Sequence, residues 1–221
     1  LPGVPLPEAI EWTHDRDAAV RGADVVVLAA PSKHFRAVVQ SFSDRIEDRS
    51  LVVSVTKGLD PETRQRMTEV ARELLGGRSV AALSGPSLAP EVARGVPTAV
   101  VVACADREQA AHLQAIFTGG PFRVYTSEDV VGVELGGALK NVIAVAAGVS
   151  DGIGFGDNSR AALVTRGLAE ITRLGVALGA DLVDFALELG DAVADETAVG
   201  FDLGLARAAA QAAAAALAFE V

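Results

Sequence analysis

Lys57 stands in Thr56-Lys57-Gly58, at the end of the apolar run 51–55. A cation at the carboxyl end of a buried parallel strand lies where open α/β sheets bind ligands. The next apolar run, 80–83, leads into Ser84-Gly85-Pro86-Ser87, whose glycine and hydroxyls can offer donors to an anion at the same rim. Two strand ends therefore converge on one anion site, whereas Lys57 taken alone reads as a solvated loop lysine. A second group is Glu134-Leu135-Gly136-Gly137-Ala138-Leu139-Lys140-Asn141. Consecutive glycines inside a helical pattern cost about 1 kcal/mol each relative to alanine, so something compensates. Gly136 and Gly137 precede Lys140 by four and three residues and share its helix face, which leaves bare backbone beside the ammonium. A ligand or a second helix fits against that backbone; plain close packing with Lys140 snorkelling outward accounts for the glycines equally well. A lysine beside a carbonyl oxygen donates a proton as hydride reaches the carbon, and withdraws it in reverse.

The remaining titratable residues make a weaker case. His14, His34 and His112 are spaced for neither a metal cluster nor a serine triad, so no metal site is expected. Arg160, Arg166 and Arg173 recur about every seven residues, as a solvated helix face does.

These residues must be held by a scaffold. Runs rich in β-branched residues recur at 25–29, 51–55, 80–83, 99–103 and 122–126, continuous rather than alternating, as in strands buried on both faces. Amphipathic segments separate several of them. In Asp60-Pro61-Glu62 the aspartate suits a cap, the proline the first helical position and the glutamate the positive helix end. Strand, crossover helix and strand imply a mostly parallel α/β sheet. From about Thr126 the pattern turns helical, which places domains at 1–126 and 127–221. Thr126-Ser127-Glu128-Asp129 has capping-box spacing ahead of a helix over 130–149. A second helix is expected over 158–178, capped by Asn158 or Ser159 and stopped by Gly179, and the alanine-rich tail 206–218 favours helix.

Composition limits the function classes. Half of the 221 residues are hydrophobic, enough for one large domain or two smaller ones. With 29 acidic against 19 basic residues the formal charge is −10, which disfavours nucleic acid or an anionic membrane and favours a small-molecule partner. The single cysteine, Cys104, excludes an internal disulfide framework, fits a reducing cytoplasm and reads as a small core residue. The sequence has no uninterrupted apolar run of about 18 residues and no charged-then-apolar leader, so neither a membrane span nor a signal peptide is expected.

Four segments in order, Ser54-Val55-Thr56-Lys57-Gly58, Leu83-Ser84-Gly85-Pro86-Ser87, Val131 through Val142 around Gly136-Gly137, and Leu163-Val164-Thr165-Arg166-Gly167-Leu168-Ala169-Glu170, resemble the bacterial-type NAD(P)-dependent glycerol-3-phosphate dehydrogenases. The resemblance runs from residue 1 to about Asp181. It implies a Rossmann-type parallel sheet followed by an all-α substrate domain. It also implies reduction of dihydroxyacetone phosphate to sn-glycerol 3-phosphate with NADPH or NADH, in the cytoplasm, for phospholipid synthesis. By motif, Lys140 resembles the proton acceptor of the oxidation direction, and Lys57 the lysine shared by cofactor and substrate. Gly85, Ser87 and Asn141 resemble substrate contacts, while Ala89 and Phe35 resemble cofactor contacts.

Two departures accompany the resemblance. The family opens with a strand and a Gly-x-Gly-x-x-Gly-like loop, whereas this sequence starts at Leu1-Pro2-Gly3-Val4; the sheet is expected to be N-terminally incomplete and cofactor binding by this chain alone to be impaired. After Asp181 the likeness fades. Leu189-Gly190-Asp191 resembles a family segment that makes Asp191 a substrate contact, but Asp195-Glu196-Thr197-Ala198 stands where an arginine-bearing phosphate clamp is expected. The alternatives are a related hydroxy-acid or keto-acid reductase and an inactive remnant serving as a helical association module; a homodimer is compatible with any of them.

Overall fold

The computed structural model describes residues 4–5 and 7–181, and the chain divides into two compact units, Leu1–Glu128 and Asp129–Val221. Asp191, the acidic segment 195–198 and the alanine-rich tail 206–218 lie outside the described residues.

The first unit begins with α1 (Arg16–Val20), β1 (Val25–Leu28), α2 (Ser32–Gln40) and β2 (Leu51–Ser54). It continues with α3 (Met67–Leu74), β3 (Ala81–Ser84), α4 (Ala89–Ala93), β4 (Thr98–Ala103), α5 (Arg107–Phe117) and β5 (Phe122–Ser127). All five expected strands form, in the order β1-β2-β3-β4-β5. Strands β1, β2 and β3 run parallel, with Val26 beside Val52 and Val53 beside Ala81. The strand β4 departs from that pattern: it is antiparallel to β3, pairing Ser84 with Val101, and parallel to β5. Residues 85–97 contain only the five-residue α4 and bring the chain back at the rim where β3 ended. An antiparallel neighbour needs no return across a sheet face.

Both faces of the sheet are covered at its centre, which is why the inner strands read as continuous apolar runs, while Val27 of β1 and Tyr125 of β5 are exposed at the edges. Val52 joins Phe35, Val39, Met67 and Val70 of α2 and α3 on one side. The next residue, Val53, joins Val100, Val102, Leu113 of α5 and the fully buried Cys104 in a separate cluster.

Two helix starts differ from expectation. Asp60 does accept from the Glu62 and Thr63 amides at 2.9 and 3.1 Å, but it closes a turn; α3 begins at Met67, where the Glu69 carboxylate accepts from the Arg66 amide at 2.8 Å. The Thr126 capping box is likewise replaced, because β5 runs through Ser127 and the cap is Asp129, accepting from the Gly132 amide at 2.8 Å.

The second unit is helical where described, with α6 (Val130–Ile153) and α7 (Asp157–Ala177). Helix α7 starts ahead of Asn158 and Ser159, at Asp157, whose carboxylate pairs with Arg160 at 2.6 Å and carries no side-chain cap. Gly167 sets the closeness of the pair: a Cβ there would lie 2.9 Å from Ile143 Cγ1. By length and composition α6 is apolar enough to cross a membrane, its charges Glu134, Lys140 and Asp151 notwithstanding, and 44% of its most apolar window is buried in the protein. A soluble core helix has the same character.

Candidate active site

In the first unit the two predicted strand ends meet. Lys57 lies three residues beyond the end of β2, and its ammonium donates to the Gly85 carbonyl, just past β3, at 2.8 Å. The Ser87 hydroxyl donates to the same oxygen at 3.3 Å. Parallel pairing of β2 with β3 places both carboxyl ends on one rim, so contact across 28 residues of sequence follows from topology. Gly85 is dictated by its backbone: φ is +140°, and a Cβ would stand 2.9 Å from Val100 Cα and 3.1 Å from the Ala99 carbonyl. The turn therefore hugs β4 as it leaves the sheet. Lys57 is exposed, so the rim presents a positive group to solvent.

The Lys57 loop is anchored on both sides. Before it, the Thr56 hydroxyl donates to the Ala30 carbonyl at 2.7 Å. After it, the Asp60 carboxylate, only 4% exposed, receives Arg36 Nε at 3.0 Å as well as the two turn amides. Arg36 also reaches Gln65 Oε1 at 2.8 Å and Glu73 at 3.0 Å. The Thr63 amide foremost, with the Glu62 amide and the Arg36 guanidinium, holds the Asp60 carboxyl below the usual carboxylate range against the opposing effect of burial. Arg36 holds Glu73 low in the same way. Read locally, Asp60 suits a helix cap; the local sequence does not disclose this network, because its cation lies 24 residues back, on α2.

The other first-unit candidates have distinct settings. Ala89 is the first residue of α4, two residues after Ser87. Phe35 is completely buried among the α2 and α3 core residues.

In the second unit Lys140 is 2% exposed, which removes the snorkelling reading. Gly136, Gly137 and Glu134 are buried on the same helix, while Asn141 is exposed. An ammonium is kept from bulk water only where its surroundings compensate, so the site is built for it. The arginine stripe is occupied by ion pairs: Arg160 with Asp151 and Asp157, Arg166 and Arg173 with Glu170. His14, His34 and His112 are exposed, and among the described residues no group of three His, Cys, Asp or Glu is placed to hold a metal.

Comparison with known proteins agrees with these motifs. A family model described as NAD-dependent glycerol-3-phosphate dehydrogenase N-terminus matches residues 1–110, and its C-terminus counterpart matches residues 129–215. The chain is 53% identical over 186 residues to the glycerol-3-phosphate dehydrogenase (NAD(P)+) of Moorella thermoacetica, covering 84% of this chain and 55% of that one. Against the enzyme numbered 2 of Sphingopyxis alaskensis it is 47% identical over 216 residues, covering 94% and 65%. The chain thus spans little more than half the length of the first of these relatives. Among solved structures, the Coxiella burnetii glycerol-3-phosphate dehydrogenase superposes with a TM-score of 0.76 at 31% identity, over 100% of this chain and 75% of that one. The Plasmodium falciparum enzyme gives 0.84 at 25% identity, over 95% and 59%.

Proposed function

Since the chain belongs to the NAD-dependent glycerol-3-phosphate dehydrogenase family, we propose that it serves the interconversion of dihydroxyacetone phosphate and sn-glycerol 3-phosphate, in the cytoplasm, as a supply for glycerophospholipid synthesis. The observation that carries this reading is the Lys57–Gly85 contact at the strand-end rim, 2.8 Å long and exposed to solvent.

The rim suits a nicotinamide nucleotide as well as the substrate, because an exposed ammonium at the carboxyl end of parallel strands accepts an anionic group. NADPH or NADH supplies the hydride. Lys57 binds negative charge there and steadies what develops on the substrate oxygen. Gly85 and Ser87 shape the turn that faces the substrate, and Ala89 and Phe35 serve the cofactor. In reduction Lys140 gives its proton to the carbonyl oxygen, which becomes the hydroxyl; in oxidation it takes that proton back. Asn141 orients the substrate beside it, and Asp191 adds a further substrate contact.

The test is spectrophotometric: the purified protein is mixed with NADH or NADPH and dihydroxyacetone phosphate, and 340 nm absorbance is followed. Oxidation that requires the phosphate ester, and fails with dihydroxyacetone or with 2-keto acids, supports the reading. Faster turnover of a keto acid overturns it in favour of a related reductase.

A further inference from the structure

We propose that Arg36 and Asp60 are positioning residues for Lys57, with helix α2 acting as the template on which the Lys57 loop is laid. The role rests on the functional reading above.

The loop from Thr56 to Asp60 touches the start of α2 at three successive points. Thr56 Oγ1 donates to the Ala30 carbonyl at 2.7 Å, just before the helix. Gly58 then passes over the helix start so closely that a Cβ on it would lie 3.2 Å from Ser32 Oγ, with φ at +119°. Asp60 is taken by Arg36 at 3.0 Å. Ser32 and Arg36 are four residues apart and share one face of α2, so a single helix face seats both Gly58 and Asp60. Phe35 and Val39, fully buried, fix that helix on the sheet.

Beyond Asp60 the loop is closed by its own backbone. The Asp60 amide donates to the Gln65 carbonyl and the Arg64 amide to the Asp60 carbonyl, both at 2.9 Å, and Leu59 bridges to Arg66. The loop 60–66 is therefore a small rigid body whose attachment to α2 is the guanidinium of Arg36, which holds Asp60, Gln65 and Glu73 together. Lys57 sits between two fixed points, and its long side chain is aimed at Gly85 by where those points hold its backbone. Displacement of a positioned group by about 1 Å can cost on the order of 100-fold in rate. The Arg36–Asp60 pair thus bears on catalysis without touching substrate.

The chain has three lysines, Lys33, Lys57 and Lys140, so protein labelled with [6-13C]lysine gives three side-chain signals, assigned by single replacements with arginine. Arg36→Met and Asp60→Asn are expected to move the Lys57 signal towards that of free lysine while leaving Lys33, exposed on the same helix, in place. They are also expected to raise KM for dihydroxyacetone phosphate about tenfold or more, with a smaller change in kcat. Glu73→Gln, which leaves the Arg36–Asp60 contact intact, should leave the Lys57 signal in place, and Arg36→Lys should recover part of the Arg36→Met shift. If Asp60→Asn does not fold, the Arg36→Lys and Arg36→Met pair decides. A lowered melting temperature with the Lys57 signal and KM unchanged overturns the proposal and leaves the pair a structural brace. Dihydroxyacetone phosphate that fails to move the wild-type Lys57 signal overturns the functional reading instead, while the response of Lys57 to loss of Arg36, read without substrate, still decides the positioning role.

Discussion

Gly85 is the residue against which Lys57 is held: its carbonyl accepts the lysine ammonium at 2.8 Å, while its α-carbon is pressed against β4 so tightly that no side chain fits. One residue thus joins the exposed cation to the sheet, and the turn that receives the cation cannot move without disturbing Val100, which is 1% exposed in the core.

Lys57→Met is expected to raise KM for dihydroxyacetone phosphate and to lower kcat together, because a cation at this rim serves both binding and developing charge. Steady-state kinetics across a substrate series checks this. Full activity in the variant would return Lys57 to the role of an exposed loop residue.

Gly85→Ala should destabilise the first unit by about 1–3 kcal/mol, the usual cost of a residue forced into a conformation only glycine adopts readily. The positive φ and the 2.9 Å approach to Val100 Cα both contribute. Urea denaturation reads the loss; an unchanged midpoint would mean that the turn relaxes away from β4 at no cost.

Legibility in the sequence varied by the kind of information needed. Strand positions were readable because strands buried on both faces leave continuous β-branched runs, and Val52 and Val53 show the cause by entering different core clusters. The reversal of β4 was not, since a strand's composition does not encode its direction. The false helix start at Asp60 arose because its carboxylate also serves Arg36, a partner 24 residues away that local cap chemistry cannot reveal. Lys57 and Gly85 were readable as a pair once both were placed at parallel strand ends. The burial of Lys140 is not legible, because adjacent glycines announce a close approach without saying what approaches.

Acid should weaken the Arg36 network in a defined direction. Asp60 and Glu73 have carboxyl groups held low in the native state, so their contribution to stability is present above the ordinary carboxylate range and is lost as pH falls through their depressed values. Arg36→Met should show a shallower loss of stability between neutral and strongly acid pH. Urea midpoints measured across that range check it, and equal pH slopes in the two proteins would contradict it.

Gly167→Ala is expected to cost about 1–3 kcal/mol through overpacking against Ile143, whose Cγ1 lies 2.9 Å from the added Cβ. Ile143→Ala, which removes that Cγ1, should recover part of the loss, so that a double-mutant cycle shows clear coupling. Additive effects would mean that the two helices separate freely.

The role of Lys140 is tested most directly by single-turnover reduction of dihydroxyacetone phosphate in Lys140→Ala, with cofactor and substrate affinities measured alongside. A general acid typically contributes about 100- to 10,000-fold. A fall in the chemical rate of that order with cofactor affinity preserved is the predicted result. An unchanged rate at saturating substrate would contradict it and leave Gly136, Gly137 and the buried lysine as features of packing alone.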